Sequence, residues 1–358
     1  MKKAMSSKER VLTTFARQAA DRVPVNYFSN YGIDQRLKQY FKLALDDKEG
    51  LNQALGVDFR TVGVGYVGPK LHETRPGIIA DEWGKRRRWV EHESGGYWDF
   101  CEWPLQFATM EDVENWPLPS PDDYDYTTVA ERCKKYRDYC VVAGGAGCGD
   151  IINSTSMLRN MEQVLIDLLT DDPVGLRFIQ RTQDTLLEIM TRVLEAGNGL
   201  FDVFWIGEDL GTQRGPIIGL DLFRKHIRPR LQKFVDLAKS WNLPVVVHSC
   251  GSSSWAFNDF IEMGIDVVDT LQPEAKNMEP AYLKQTYSDR LAFHGMISTA
   301  GPVANGTVED VVRDVRQTLE IMMPGGGYAL APTHALQDNS PTENVVAMFR
   351  AARELGVY

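Results

Sequence analysis

The rhythm of apolar and polar positions changes partway along the chain. From about residue 139 onward, short apolar runs alternate with longer stretches whose apolar positions recur at helical spacing. "YCVVAGGAG", "FDVFWIGEDLG", "PVVVHSCG", "IDVVDTLQP", "LAFHGMIS" and "GGYALAPTH" predict strands. Between and after them, the stretch 157–197, "LDLFRKHIRPRLQKFVDLAKSWN", "WAFNDFIEMG", "MEPAYLKQTYS", "VEDVVRDVRQTLEIMM" and "PTENVVAMFRAARELG" predict helices. Strand–helix alternation of this kind implies a parallel sheet, and the number of repeats favours a closed (β/α)8 TIM barrel within the α/β class. The earlier part reads differently. Residues 1–20 fit an amphipathic helix, and "DRVPVNYF" (21–28) a first buried strand. Residues 70–105 suggest a β-hairpin, 115–126 a Pro- and Asp-rich loop, and 127–138 a helix. The expected organisation is one domain over 1–358, with 1–138 as an N-terminal extension containing the hairpin and 139–358 as regular repeats.

In a barrel, chemistry collects where the strands end. Those ends carry Glu208 and Asp209, His248 and Cys250, Asp269 and Gln272, His294, and Thr333 with His334. His248 and Cys250 are two apart, which places both side chains on one face of a strand. Imidazole and thiolate are both zinc donors, and a catalytic zinc takes three protein ligands and keeps one position open. His334 is the first candidate for the third ligand and His294 the second. Structural readings stand beside these. A buried cysteine is commonly a small apolar residue. Acids after a strand cap the next helix or form salt bridges, Asp269 and Gln272 could be loop hydrogen bonders, and the "KRRR" run (85–88) could be a solvated hairpin face.

Composition narrows the classes. The 358 residues are 43% hydrophobic and 25% charged, the profile of a globular chain with a large core. A formal net charge of −10 argues against nucleic-acid or acidic-membrane partners. No window approaches the ~18 continuous apolar residues of a membrane span, and "MKKAMSSKERVLTTFARQ" has no apolar run behind its lysines, so no signal peptide is expected. Five scattered cysteines without framework spacing imply free thiols and a cytoplasmic protein. No G-x-G-x-x-G follows a strand, so no dinucleotide site is expected.

Four segments resemble the uroporphyrinogen decarboxylase superfamily: "DRVPV", "GEDLGTQRGPIIGLDLFRKHIRPRLQKFVD", "VVVHSCG" and "YALAPTHALQDNSPTENVVAMF". The superfamily includes zinc-dependent methyltransferases that pass a methyl group between a corrinoid protein and a thiol. The decarboxylases carry an R-Q-A-G-R motif after the V-P strand, whose arginines hold substrate carboxylates. Here the place reads "VPVNYFSNYGIDQR", so the resemblance runs toward the methyltransferases. These carry His-x-Cys and a later cysteine seven residues before a T-P-x-E-N helix start. This chain keeps His248 and Cys250 and has His334 where the later cysteine stands. One thiolate fewer leaves the site more positive, which acidifies a bound thiol and weakens it as a nucleophile.

The resemblance thus implies a methyltransferase using Zn2+ and methylcobalamin. The ligands would be His248, Cys250 and His334. Glu208 or Asp209 would act as base or labile fourth ligand, and Asp269, Gln272 and His294 would bind substrate. The D-x-H-x-x-G motif of a cobalamin module is absent, so the corrinoid is expected on a separate partner protein. The alternatives are a methyltransferase that demethylates a methoxy compound onto the corrinoid, a metal-free decarboxylase or lyase, and a non-catalytic binding protein.

Overall fold

A computed structural model describes residues 4–92 and 95–358. Ten strands are present among them: β1 (Phe59–Thr61), β2 (Ile78–Ala80), β3 (Arg86–His92), β4 (Gly95–Glu102), β5 (Cys140–Gly144), β6 (Val203–Gly207), β7 (Val245–Ser249), β8 (Val267–Thr270), β9 (Ala292–Ile297) and β10 (Tyr328–Pro332). Seven of them form one parallel sheet in the order β1-β5-β6-β7-β8-β9-β10, with helices between successive strands. The strands are short, apolar and almost wholly buried because this sheet is covered on both faces.

The segment predicted as a first strand is bonded to both edges of that sheet. Asn26 N–H donates to the Leu330 carbonyl (2.9 Å), Leu330 N–H to the Pro24 carbonyl (2.8 Å), and Asp58 N–H to the Val25 carbonyl (2.9 Å). It is not a regular strand, and the reason is local. Pro24 has no N–H, and Val25 N–H donates to the Asp58 carboxylate (2.9 Å) instead of a backbone carbonyl.

The stretch 157–197, read as one long helical pattern, is broken. Helices Ile152–Arg159, Met161–Thr170 and Pro173–Gly197 are separated at Asn160 (φ 68°) and Asp171 (φ 57°). Asn160 and Asp172 cap the helices that follow, and Pro173 occupies a first-turn position where its missing N–H is harmless. The opening helix is Ser7–Phe15, closed by a capping box between Ser6 and Glu9. The first three residues of its predicted span lie outside the described residues, as do positions 93 and 94 of the hairpin.

The hairpin is present and has a third strand, so β2-β3-β4 form a small antiparallel sheet. Arg86 pairs with Glu102 (2.7 Å) and Arg87 with Asp81 (3.1 Å), while Arg87 also lies over the Phe100 ring (4.9 Å). Two residues of the "KRRR" run, Arg86 and Arg87, are therefore ion-paired. Near the tip, a Cβ on Gly95 would lie 2.7 Å from Asp338 Oδ2, so the hairpin reaches the loop that follows β10.

Candidate metal centre

Parallel register builds the site. His248 on β7 pairs with Asp269 on β8, and Asp269 pairs with His294 on β9. In-register neighbours point the same way. Asp269 Oδ2 lies 2.6 Å from His248 Nδ1, and Asp269 Oδ1 lies 2.6 Å from His294 Nδ1. One carboxylate thus bridges two imidazoles. Burial alone would raise the Asp269 carboxyl, but the two imidazoles outweigh it and hold it at about 2. Burial likewise disfavours a charged His248, yet contact with Asp269 and Cys250 keeps its imidazolium well above the usual histidine range.

With Nδ1 engaged, His248 turns Nε2 toward Cys250 Sγ (3.4 Å) and Asp209 Oδ1 (3.6 Å). Asp209 is itself fixed. Its Oδ1 accepts the Cys250 N–H (2.8 Å) and its Oδ2 accepts from Asn153 Nδ2 (2.8 Å). Asp209, His248 and Cys250 each offer one ligand atom, all within 4.8 Å of one another. Ligands about 2.0–2.3 Å from a tetrahedral zinc stand roughly 3.3–3.6 Å apart, so the Nε2 contacts match a shared ion. Burial pushes the Cys250 thiol up, opposed by His248. A cation there would reverse that preference.

The other expected residues fall out of this cluster for identifiable reasons. Glu208 is fully buried, and its carboxylate accepts the N–H groups of Ile151 (2.7 Å) and Ile152 (3.0 Å) at the start of the helix that follows β5. Burial and the Asp150 charge raise it well above the usual carboxylate range. Neighbouring acids therefore divide the work: Glu208 holds a helix start and Asp209 faces the cluster. Asp150 is also buried, and desolvation together with Asp209 raises it to about 6. Gln272 Oε1 accepts the Gly251 N–H (2.6 Å), which fixes the turn after Cys250. His294 was expected at a strand end facing substrate. It lies within β9, fully buried, with its ring among Trp205 (4.9 Å), Phe59 (5.5 Å) and Phe28 (6.1 Å). Asp269 is spent on the two imidazoles. His334 is exposed, its Nδ1 lies 3.4 Å from the Ala335 carbonyl, and among the described residues it is not one of the three clustered donors.

A cavity of about 480 Å³ opens beside the cluster. Asp209 and His248 line it together with Met157, Met161, Phe100 and Trp103. Among the described residues its lining contains no lysine or arginine. Three contributors were not singled out from the sequence: Asp150, Asn153 and Asn26, whose Nδ2 lies 3.2 Å from His294 Nε2. Asn26 was hidden inside a predicted strand. A polar residue at that strand's true end was the available signal.

The sheet, its covering helices and this cluster at the strand ends define an α/β protein with a candidate cation site. The chain belongs to the uroporphyrinogen decarboxylase (URO-D) family, whose model matches residues 102–355. It is similar to the methylcobamide:CoM methyltransferase MtbA of Methanosarcina acetivorans, at 24% identity over 140 residues. That match spans 38% of this chain and 38% of the relative. Its fold is similar to that of a methyltransferase from Methanosarcina mazei, with a TM-score of 0.66 and 19% identity over 98% of this chain and 99% of that one. None of the five cysteines is disulfide-bonded, and among the described residues no helix is long and apolar enough to cross a membrane.

Proposed function

We propose that this chain is a zinc-dependent methyltransferase that moves a methyl group between methylcobalamin, carried by a separate corrinoid protein, and a thiol. The observation that carries the reading is the convergence of Asp209, His248 and Cys250 with His248 Nε2 held toward the other two. His248 and Cys250 would hold the ion together with His334 from the loop after β10, and Asp209 would be a labile fourth donor that the incoming thiol displaces. When bound, zinc supplies Lewis acidity that lowers the pKa of an acceptor thiol. Asp209, which lines the cavity, would receive the thiol proton. Asp269 keeps the His248 ring oriented, a role typical of groups behind a metal ligand. Phe100, Trp103 and the two methionines give a largely apolar wall that limits water beside the transferring group. The strands and the 23–26 segment close as an eight-stranded barrel, which puts all these groups at one mouth. A cavity lining without cations argues against a multiply carboxylated substrate, and so against porphyrinogen decarboxylation.

The test is demethylation of methylcobalamin by zinc-loaded protein with a panel of thiols and tetrahydrofolate, followed by the corrinoid's visible spectrum. Thiol-dependent demethylation is expected. Transfer from methoxy compounds onto the corrinoid would reverse the proposed direction, and inertness of every donor and acceptor would overturn the reading. Zinc titration of Asp209→Ala and His334→Ala separates the ligand roles. Unchanged zinc affinity in Asp209→Ala removes it from the ligand set.

A further inference from the structure

Asn26 stands on the segment that bonds to both β10 and β1, and it is 5% exposed. Its amide has one orientation that satisfies its surroundings. The Tyr27 N–H can only donate, so the oxygen of the Asn26 amide must face it, and Oδ1 accepts that bond at 2.9 Å. The amide nitrogen is then the atom 3.2 Å from His294 Nε2. An NH2 group offers donors alone, so Nε2 must accept and carries no proton. A neutral imidazole has one ring proton, which is thereby placed on Nδ1, where Asp269 Oδ1 accepts it at 2.6 Å. Trp205, the nearest ring at 4.9 Å, makes no hydrogen bond through its buried Nε1, so it does not donate to His294 Nε2.

With Oδ1 filled by His294, Asp269 presents Oδ2 to His248 Nδ1–H at 2.6 Å, with the Thr270 hydroxyl donating to the same oxygen at 3.3 Å. His248 Nε2, the atom nearest Cys250 Sγ, is then the ring position left for an ion, which would displace the proton it carries in the metal-free protein. Were His294 to carry its proton on Nε2, a lone pair would face Asp269 at 2.6 Å and Nε2–H would face an amide donor. Neither buried contact survives that exchange.

We infer that Asn26 is a positioning residue: it selects the His294 tautomer and, through Asp269, fixes the ring and proton placement with which His248 meets the ion. The link to an ion rests on the zinc reading given above, whereas the tautomer assignment does not.

The test uses the full chain with 15N-labelled histidine, zinc-free and zinc-loaded. Long-range 1H–15N correlations read which ring nitrogen is protonated, and chelator competition reads zinc affinity. In the wild type His294 is expected to carry its proton on Nδ1 alone. Asn26→Asp keeps the volume but replaces the donor with an acceptor, so His294 gains a proton on Nε2 and zinc affinity falls about tenfold, the low end for groups behind a metal ligand. Asn26→Ala removes the selection, and both His294 tautomers appear. A wild-type proton on His294 Nε2 overturns the inference without any variant. So does unchanged His294 protonation in folded Asn26→Asp. A wild type that binds no zinc sinks the zinc reading instead, while the ring spectrum still decides the role of Asn26.

Discussion

Replacing Asp269 by asparagine keeps shape and removes a charge that two imidazoles share. An asparagine side chain has one acceptor and one donor group, so it cannot accept from both His248 Nδ1 and His294 Nδ1, each 2.6 Å away. One ring must change tautomer or lose its partner in a buried setting. The magnitude follows from the carboxyl, which is held at about 2 in the fold. Against an unfolded value near 3.9, that depression is worth about 2–3 kcal/mol at neutral pH. Because the folded pKa lies below the unfolded one, this stability is present above about pH 4 and is lost as the pH falls toward 2. Urea unfolding of zinc-free protein at pH 7 should show Asp269→Asn about 2–3 kcal/mol less stable than wild type. The gap should narrow as the pH falls below about 5. Zinc affinity should drop 10–100-fold, or about 1.4–2.7 kcal/mol, since the ring it orients is a proposed ligand. A variant within about 0.5 kcal/mol of wild type, with unchanged zinc affinity, would refute the bridge as an energetic feature.

Two further outcomes follow. The Asp150 carboxyl is raised to about 6, so its contribution to stability is full below the unfolded pKa and fades as the pH rises through 6. Zinc-free Asp150→Asn should therefore be more stable than wild type by about 3 kcal/mol near pH 8, with the difference vanishing toward about pH 4. A pH-independent difference in urea titrations would contradict this. At the end of β6, a Cβ on Gly207 would lie 1.8 Å from the Ala146 carbonyl oxygen. Gly207→Ala should cost about 3 kcal/mol in thermal or urea unfolding, and a neutral result would mean that this backbone contact yields.

The repeating half of the chain was legible because buried parallel strands and amphipathic helices have different apolar periods. The breaks at Asn160 and Asp171 were not, since a polar residue in left-handed conformation reads like an ordinary position on a helix surface. His248, Cys250 and Asp209 could be found from strand ends and spacing. Choosing between Glu208 and Asp209 could not, because both orientations satisfy the same text and only packing shows that one carboxylate caps the helix at Ile151 and Ile152. In the sequence, His294 and Asp269 are simply polar residues near strand ends. Register places them behind His248 instead. His334 illustrates the opposite case: a motif position marked it, while the folded chain leaves it exposed on its loop.

The most direct measurement of the central claim is zinc bound per chain, by elemental analysis of protein loaded with zinc and freed of excess metal. About one zinc per chain is expected for the wild type, with loss of that zinc in Cys250→Ala and His248→Ala variants that retain the fold. A wild type that binds none, or variants that keep the full amount, would contradict a metal centre built on these residues.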